Sequence, residues 1–304
     1  MKIMSKTNTI DRGIIMFAHN NTEIDYFRLA VVNATLIQRY LGLEKQNIAV
    51  VTDLHSLEHA QKQLGKRFIK NAIGHIIINE KDVNFKHSNV RTYKDTSLHS
   101  KHLSFYNKNR SDAYDLSPFQ ETILIDADYL VLSDSLNQCW AHNNELMMNW
   151  EYKDVYSSRK YPSLTRLHNL GISMYWATVV YFRKTDYCET FFNLVKQVRD
   201  NKDYYGQLFR INNKLYRNDF SFSVAAHILG GFQDKTLPQL PFQLFKTFDT
   251  DDVYEVNSDL SLVLCLEKPD SPGDFIATKW KGVDVHIMNK WALSRISNGL
   301  LEYV

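Results

Sequence analysis

The sequence predicts a mixed α/β protein: a mostly parallel, Rossmann-like central sheet flanked by helices. Two observations carry this prediction. Short apolar runs of strand length alternate with helical periodicity from the start of the chain. The 304 residues also suffice for one large core that needs no metal or disulfide to hold it. No linker, internal repeat or low-complexity tract interrupts the pattern, so we expect a single domain over residues 1–304.

The first five elements alternate in type. The strands are predicted over 13–19, 48–53 and 74–79, and the helices over 23–41 and 56–64. Gly42 ends the first helix as a C-terminal glycine does. Strands that are joined by helices in this way run parallel, and such sheets bind ligands at the carboxyl ends of their strands.

Residues 80–110 break this alternation because they are polar and rich in Lys, His, Asn and Ser. We interpret them as a long loop or insertion, which is either a lid over a ligand or a surface segment without a role in the site. The elements predicted after it are strands over 122–132, 174–182, 261–266 and 283–288, helices over 190–198 and 219–229, an extended stretch over 237–248 and a final helix.

Composition excludes several classes of protein. With 23% charged and 44% hydrophobic residues the chain is neither disordered nor fibrous. Its three cysteines are far apart and contain no CxxC pair, which argues against a disulfide framework or a structural zinc site. The polar N-terminus has no apolar core, and the longest nearly apolar run, 173–182, is about half the length of a membrane helix. We therefore expect no membrane span and a cytoplasmic protein.

The net charge of +2 conceals a basic middle segment. Residues 151–217 contain twelve Lys/Arg and six Asp/Glu, so this segment carries +6 and the remainder −4. Such a segment is either the solvated face of helices or a surface for an anionic partner such as nucleic acid. Five aromatic residues among these charges either stack on bases or belong to the core: Tyr152, Tyr156, Tyr161, Tyr175 and Trp176.

Two aspartates, Asp126 and Asp128, follow the apolar run Ile123 to Ile125 and precede a second apolar run, Tyr129 to Leu132. On an extended backbone, carboxylates one residue apart point the same way, so both reach one hard cation and leave positions free for phosphate oxygens. Two solvated loop aspartates are the alternative. The apolar frame favours a clamp for a metal and a diphosphate, because charges are costly in a core.

These features together resemble the nucleotide-sugar-dependent glycosyltransferases of the GT-A fold. The resemblance rests on the strand and polar turn near the N-terminus, on a second strand that ends in Asp53, on Ser117-Pro118-Phe119 before the DxD motif, and on a late His followed by Lys-Trp. It covers nearly the whole chain. Residues 1–135 then form the nucleotide-binding half, and residues 136–304 the acceptor half with the C-terminal metal and diphosphate segment.

The resemblance implies a UDP-sugar donor, and Mn²⁺ or Mg²⁺ held by Asp126, Asp128 and His286, the last as in the glycogenin-like branch. Lys290 then faces the diphosphate, although the spacing between this His and Lys is shorter than in that branch and lacks its glycine. An isolated core histidine is the alternative for His286. Four positions match those that hold uracil and ribose, and Arg110 matches a basic nucleotide contact; the four are Ala18, His19, Asn20 and Asp53. Asn20 is also placed to cap the first helix.

Asp219 lies where the acceptor-side carboxylate of this fold is found, so the resemblance implies that it orients the acceptor hydroxyl or removes its proton. An N-cap for the following helix is the alternative. The late His-Lys-Trp favours retention of the anomeric configuration, while an Asn-Asp pair near the acceptor also fits an inverting base.

The segment around the DxD motif, from Ser117 to Leu130, is most similar to phage-encoded members, some of which glycosylate hydroxymethylated bases in DNA. DNA as acceptor would explain the basic segment and would place the protein in the host cytoplasm. A surface glycan, a lipid-linked sugar or a protein remain alternative acceptors. A catalytically silent nucleotide-sugar-binding protein is the alternative of another class. A nucleotidyltransferase is disfavoured, because the turn after the first strand lacks the glycine-rich phosphate loop.

Overall fold

The structure is a computed structural model that describes residues 10–80, 89–106, 108–157, 159, 165–168, 171–211 and 215–304. Its strands are β1 (Ile10–Phe17), β2 (Ile48–Thr52), β3 (His75–Ile78), β4 (Asn89–Lys94), β5 (Ser100–Phe105), β6 (Phe119–Asp126), β7 (Tyr129–Leu130), β8 (Leu146–Met148), β9 (Lys153–Asp154), β10 (Val179–Arg183), β11 (Phe245–Lys246), β12 (Asp252–Val256), β13 (Leu262–Glu267), β14 (Phe275–Trp280) and β15 (Val285–His286). Its α-helices are α1 (Tyr26–Leu41), α2 (Leu54–Leu64), α3 (Lys66–Ala72), α4 (Ala113–Leu116), α5 (Asp186–Asp200), α6 (Lys202–Leu208), α7 (Asn218–Leu229) and α8 (Lys290–Tyr303).

A six-stranded sheet in the order β3-β2-β1-β6-β10-β8 forms the centre. The first four strands of this order are parallel, and β10 runs antiparallel to both β6 and β8. This confirms the predicted α/β class with a mostly parallel central sheet. In the register of β1 and β6, Phe17 lies beside Asp126, so the ends of both strands open at the same edge of the sheet.

Hydrophobic layers cover both faces of the sheet. Alternate residues of β1 point to opposite faces, as strand geometry requires: Ile14 belongs to the core under α1 and α8, and Ile15 to the core that includes Phe191 and Phe192 of α5. Helix α1 begins after Asp25, whose carboxylate accepts a hydrogen bond from the Arg28 amide at 2.9 Å. It ends at Gly42, which has a φ of 66° that suits glycine, as predicted.

Several predicted elements differ from the structure. Residues 89–105 are not a structureless loop, because β4 and β5 pair as an antiparallel hairpin. The strand predicted over 122–132 is interrupted by a turn at Ala127 and Asp128. The strand predicted over 174–182 begins only at Val179. For the two strands, local apolar character extends beyond the hydrogen-bonded ladder, which only the strand partners define; the hairpin is polar and has no apolar pattern that predicts it.

The hairpin is fixed by contacts that are remote in sequence. The hydroxyl of Tyr26 in α1 donates to the Tyr93 hydroxyl at 3.0 Å. At the hairpin turn, Asp95 accepts hydrogen bonds from the guanidinium of Arg295 and the amide of Asn289. These contacts dock residues 89–105 against α1 and the start of α8.

Two smaller sheets complete the fold. Strands β7, β15, β11 and β9 form one, and β12, β13 and β14 form a separate antiparallel sheet. The strand expected over 261–266 is therefore β13 of this separate sheet. The one expected over 283–288 shortens to β15, and the final helix is confirmed as α8. Among the described residues, no helix is long and apolar enough to cross a membrane.

Candidate active site

A cleft of about 300 Å³ opens at the carboxyl ends of β1 and β6. Its lining comes from the end of β1, the start of α1, the hairpin and Arg110 after it, the turn after β6, the residues before β10, the start of α7, and the segment from β11 to the start of α8. Seven of the residues predicted for the site lie in its lining: His19, Arg110, Asp126, Asp128, Asp219, His286 and Lys290. Tertiary folding thus brings together residues from both ends of the chain.

The two aspartates of the DxD motif sit on a turn, so the expected extended backbone between them is wrong. Asp126 is the last residue of β6, and Asp128 lies in the tight turn before β7. Strand β15 then pairs antiparallel with β7, with His286 opposite Tyr129, and the amide of Ile287 donates to the carbonyl of Asp128 at 3.0 Å. This pairing carries His286 to the two carboxylates.

The three side chains form a compact ligand set. Nε2 of His286 lies 3.1 Å from Oδ1 of Asp128 and 3.9 Å from Oδ2 of Asp126. One ligand atom from each residue falls within 4.8 Å of the others. Nδ1 of His286 is 3.3 Å from Oγ1 of Thr178, which orients the ring so that Nε2 faces the carboxylates. Carboxylate oxygens with one imidazole nitrogen suit Mn²⁺ or Mg²⁺, so the donor set fits the expected ion.

Each carboxylate also has its own buried cation. Nη1 of Arg110 is 2.7 Å from Oδ1 of Asp126, and its guanidinium also donates to the carbonyls of Ile125 and Thr178. Nζ of Lys290 contacts Asp128 and donates to the carbonyl of Ile287 at 2.8 Å. Lys290 is the first residue of α8, so the start of this helix delivers its side chain. The two aspartates are therefore neutralised by the protein itself.

The pKa values of the two carboxyl groups are shifted in opposite directions. Burial raises the pKa of Asp126, and the charge of Arg110 offsets part of this effect. Burial also acts to raise the pKa of Asp128, but the charges and hydrogen bonds of Lys290 and His286 outweigh it and hold that pKa well below its ordinary value. Burial lowers the pKa of Lys290 against the pull of Asp128. Asp128 is consequently the firmly ionised member of the pair.

The four positions predicted for the nucleotide differ in their surroundings. His19 is buried, its Nε2 is 3.2 Å from the carbonyl of Asn79, and its Nδ1 has no hydrogen-bond partner among the described residues. Asn20 and Asp53 make structural contacts: Asn20 Oδ1 accepts from the Phe27 amide, and the Asp53 carboxylate caps α2 through Ser56. The amide of Ala18 donates to Val51 in the sheet. Of these four, only His19 lies in the lining of the cleft.

Asp219 also lines the cleft, from the first turn of α7. The expectation that it caps this helix is wrong, because Arg217 occupies the N-cap position. One carboxylate oxygen of Asp219 accepts from the Ala177 amide at 3.0 Å, and the other accepts from the Arg217 guanidinium at 2.7 Å. These two contacts fix the orientation of the carboxylate toward the cleft.

Sequence reasoning assigned no role to several residues of the lining. Arg91 and Phe105 come from the hairpin, where the sequence predicts a loop, and Arg91 lies over the rings of Tyr93 and Phe105. Lys246 comes from the two-residue strand β11. Its burial lowers its pKa to about 7, helped by the charge of Arg217. No motif marks these residues; a buried lysine is visible only in the tertiary structure.

The basic middle segment does not form one free cationic face. Five of its described arginines and lysines pair with carboxylates of the same chain: Arg159, Arg183, Lys196, Arg199 and Arg217. Of the aromatic residues considered for base stacking, Tyr175 and Trp176 are buried in the core, Tyr152 packs on Trp176, and Tyr156 lies beside Arg159. Tyr161 lies outside the described residues.

Comparison with known proteins gives matches among solved structures only. No family model and no curated protein matches the chain. Similar structures include the apo form of mouse xyloside xylosyltransferase 1, with 12% identity over 75% of this chain and 85% of that one and a TM-score of 0.44. An active-site mutant of LgtC has 15% identity over 70% and 69% and a TM-score of 0.43. A putative glucose-1-phosphate thymidylyltransferase from Bacillus anthracis has 9% identity over 66% and 81% and a TM-score of 0.36.

Proposed function

We propose that this chain is a metal-dependent glycosyltransferase of the GT-A type that uses a nucleotide-diphosphate sugar, with UDP as the nucleotide. The observation that carries the proposal is the cluster of Asp126, Asp128 and His286 in one cleft. The cations Arg110 and Lys290 contact the same carboxylates. Sugar transfer from such a donor requires negative charge to be stabilised on the departing diphosphate, and this cluster concentrates the necessary groups.

The residues of the cluster divide into metal ligands and phosphate-binding cations. Asp126, Asp128 and His286 would hold Mn²⁺ or Mg²⁺, which as a Lewis acid stabilises charge on the diphosphate when bound. Lys290 and Arg110 would donate hydrogen bonds to phosphate oxygens, because an ammonium and a guanidinium are the natural partners of that group. Thr178 keeps the ring of His286 in the orientation that ligation needs.

The charge balance predicts how the ligands bind. Without ligands, two carboxylates face two cations, so the cluster has little spare attraction for a free divalent ion. A diphosphate that draws Arg110 and Lys290 toward its own oxygens frees the carboxylates for the metal. We therefore expect Mn²⁺ and UDP to bind cooperatively, with each ligand raising the affinity for the other by the same factor.

Asp219 faces the same cleft and is proposed to act on the acceptor hydroxyl, either by orienting it or by removing its proton. Its two internal hydrogen bonds, from Ala177 and Arg217, suit a fixed acceptor-orienting group. Changing Asp219 to Asn separates the two roles. If Asp219 is the base, the variant loses the ascending limb of the pH profile of kcat. If Asp219 only orients the acceptor, KM and kcat change and that limb stays where it is.

The test of the proposed function is transfer or hydrolysis of sugar from UDP-sugars by the purified protein with Mn²⁺. We expect activity that EDTA removes and that Asp128→Asn abolishes. Asp270→Asn, an exposed aspartate outside the cleft, is the matched control and should keep full activity. If the wild-type protein binds UDP with Mn²⁺ but never turns over any common UDP-sugar, the silent binding protein is the better description.

We propose DNA with hydroxymethylated bases as the acceptor. What supports it is a groove of about 690 Å³ that shares Leu215 and Arg217 with the lining of the cleft and also contains Lys202, Arg210 and His168. Labelled sugar should enter hydroxymethylcytosine DNA and not unmodified DNA, and DNA affinity should fall steeply with salt. A flat salt response, or incorporation into a glycan, lipid-linked sugar or protein only, would exclude DNA.

The remaining parts of the proposal concern organisation. One domain over 1–304 would comprise a nucleotide half over 1–135 and an acceptor half over 136–304. If the acceptor is phage DNA, the protein would act in the host cytoplasm. Cell fractionation and limited proteolysis with Mn²⁺ and UDP test these two points.

A further inference from the structure

Lys246 is a buried cation in the cleft that the proposed chemistry does not use. The residue is only 4% exposed, yet it belongs to the lining of the cleft. Among the described residues, none forms a hydrogen bond or an ion pair with its side-chain nitrogen. A buried charge without a partner costs several kcal/mol, so a position of this kind needs a reason.

Aromatic rings surround this ammonium. Nζ lies 4.4 Å from the ring centre of Tyr152, 4.7 Å from that of Phe248 and 5.1 Å from that of Trp176. Cation–π contacts recover part of the cost of burial and fix the position of the charge, but they leave its hydrogen-bond donors unused. The rings thus present a positioned ammonium to the cleft.

The nearby carboxylates do not supply the missing counter-ion. Asp219 is held by Arg217 at 2.7 Å, and Asp154 is held by Arg159 at 2.7 Å. Asp249 lines the cleft but forms no ion pair with Lys246. The amino group of Lys246, whose pKa burial lowers to about 7, therefore has no ion pair in the described part of the protein, and an anionic ligand would favour its protonated form.

The position of Lys246 relates it to the transferred sugar. In the register of β11 and β15, Lys246 lies beside His286, so both side chains project from the same face of the small sheet. Asp219 also lines this cleft. A sugar that is carried by a diphosphate at Asp126 and Asp128 and approached by an acceptor at Asp219 would lie in the cleft that Lys246 lines.

We propose that Lys246 binds an anionic group, a carboxylate or a phosphate, on the sugar that is transferred or on the acceptor that receives it. This inference rests on the proposed function and deepens it by naming the substrate class. A charge-assisted hydrogen bond in a desolvated site accounts for the selectivity, because the neutral analogue leaves the ammonium unpartnered.

The experiment compares matched pairs of ligands by calorimetry with Mn²⁺ present. In the donor arm, UDP-glucuronic acid and UDP-glucose are titrated into wild-type protein and into Lys246→Met. In the acceptor arm, glucose 6-phosphate and glucose are titrated into the same proteins with and without saturating UDP. We expect the anionic member of one pair to bind at least tenfold more tightly than its neutral partner, and this ratio to fall to about one in Lys246→Met.

Controls separate this inference from folding and from the proposed function. Lys235→Met is the matched control, since Lys235 also faces an indole, that of Trp150, at 5.4 Å, but is exposed and outside the cleft; its ratio should equal that of the wild type. Lys246→Gln and the thermal unfolding of both Lys246 variants test the fold. Preference in the donor arm assigns the anion to the sugar, and preference in the acceptor arm assigns it to the acceptor.

A ratio of one in both arms for the wild-type protein overturns the anion site, as does a preference that Lys246→Met and Lys246→Gln retain. The proposed function fails separately, if neither UDP nor any UDP-sugar binds with Mn²⁺. In that case the titration of glucose 6-phosphate without UDP still decides whether Lys246 holds an anion.

Discussion

Replacing Asp128 by Asn tests whether the protein itself neutralises the carboxylates of its candidate metal site. Lys290, whose side chain is 2% exposed, contacts Asp128 and otherwise donates only to the Ile287 carbonyl among the described residues. Removing the carboxylate charge leaves this buried ammonium without its counter-ion. Breaking a buried pair in this way costs about 3 kcal/mol.

The reciprocal change has a smaller cost. Lys290→Met leaves Asp128 with Nε2 of His286 at 3.1 Å, which can carry a proton and replace part of the lost charge. We expect a loss of about 2 kcal/mol for this variant. The double variant removes both charges and leaves neither stranded, so it should lose about 2 kcal/mol rather than the sum of the two losses, which corresponds to a coupling energy of about 3 kcal/mol.

The assay is urea unfolding of the four proteins in EDTA at pH 7.5, where no metal ion contributes. With a denaturant slope of ~3 kcal/mol per M, the midpoint of Asp128→Asn should fall by about 1 M. Asp270→Asn is the control and should stay within about 0.5 kcal/mol of the wild type, since Asp270 is exposed.

Two results would refute the reasoning. A more stable Asp128→Asn would mean that repulsion between Asp126 and Asp128 dominates the cleft, as in a site whose carboxylates await a metal with no internal counter-ion. Strict additivity of the two single losses would mean that Asp128 and Lys290 do not interact across their contact.

Three further predictions concern stability and dynamics. Burial raises the pKa of Asp284 to about 6, despite hydrogen bonds from Leu132 and Ser133. The contribution of this group to stability is therefore complete below pH ~4 and is lost as the pH rises to 6. Asp284→Asn should be more stable than the wild type by up to ~2 kcal/mol at pH 7.5 and equal to it at pH 4 in EDTA; an unchanged slope of stability against pH would contradict this. Asp95→Ala removes the contacts with Arg295 and Asn289, so amide exchange in residues 89–105 should accelerate at least tenfold while the central sheet keeps its protection; uniform acceleration would instead indicate global destabilisation. Gly42→Val should cost about 1–2 kcal/mol in urea unfolding because φ is 66° there, whereas Gly299→Ala, which lies in α8 and has a normal φ, should be neutral or slightly stabilising; an unchanged stability of Gly42→Val would argue against this backbone explanation.

Much of the architecture could be predicted from the sequence because it depends on local periodicity. The apolar runs of β1, β2 and β6 and the amphipathic face of α1 are each specified by their own residues. The hairpin could not be predicted, because β4 and β5 are polar and become ordered through Tyr26, Arg295 and Asn289, which are distant in sequence.

The candidate site divides in the same way. Asp126 and Asp128 stand out in the sequence because two charges interrupt an apolar frame, and the resemblance to a known fold added His286 and Lys290. The roles of Ala18, Asn20 and Asp53 stay predictions, since their described contacts are structural. No sequence signal marked Lys246 or Arg91, since a single lysine or arginine in an ordinary segment carries no pattern.

By itself, then, the sequence determined the central strands β1, β2 and β6, helix α1, and where a pair of carboxylates interrupts the core. Only the tertiary structure decided that Arg110 and Lys290 neutralise that pair, that β15 carries His286 to it, and that Lys246 lies without an ion pair among aromatic rings. The physical reason is range. Apolar periodicity follows from neighbours a few residues apart, whereas the burial and pairing of a charge depend on segments that folding brings together, in the case of Asp128 and Lys290 from more than a hundred residues away.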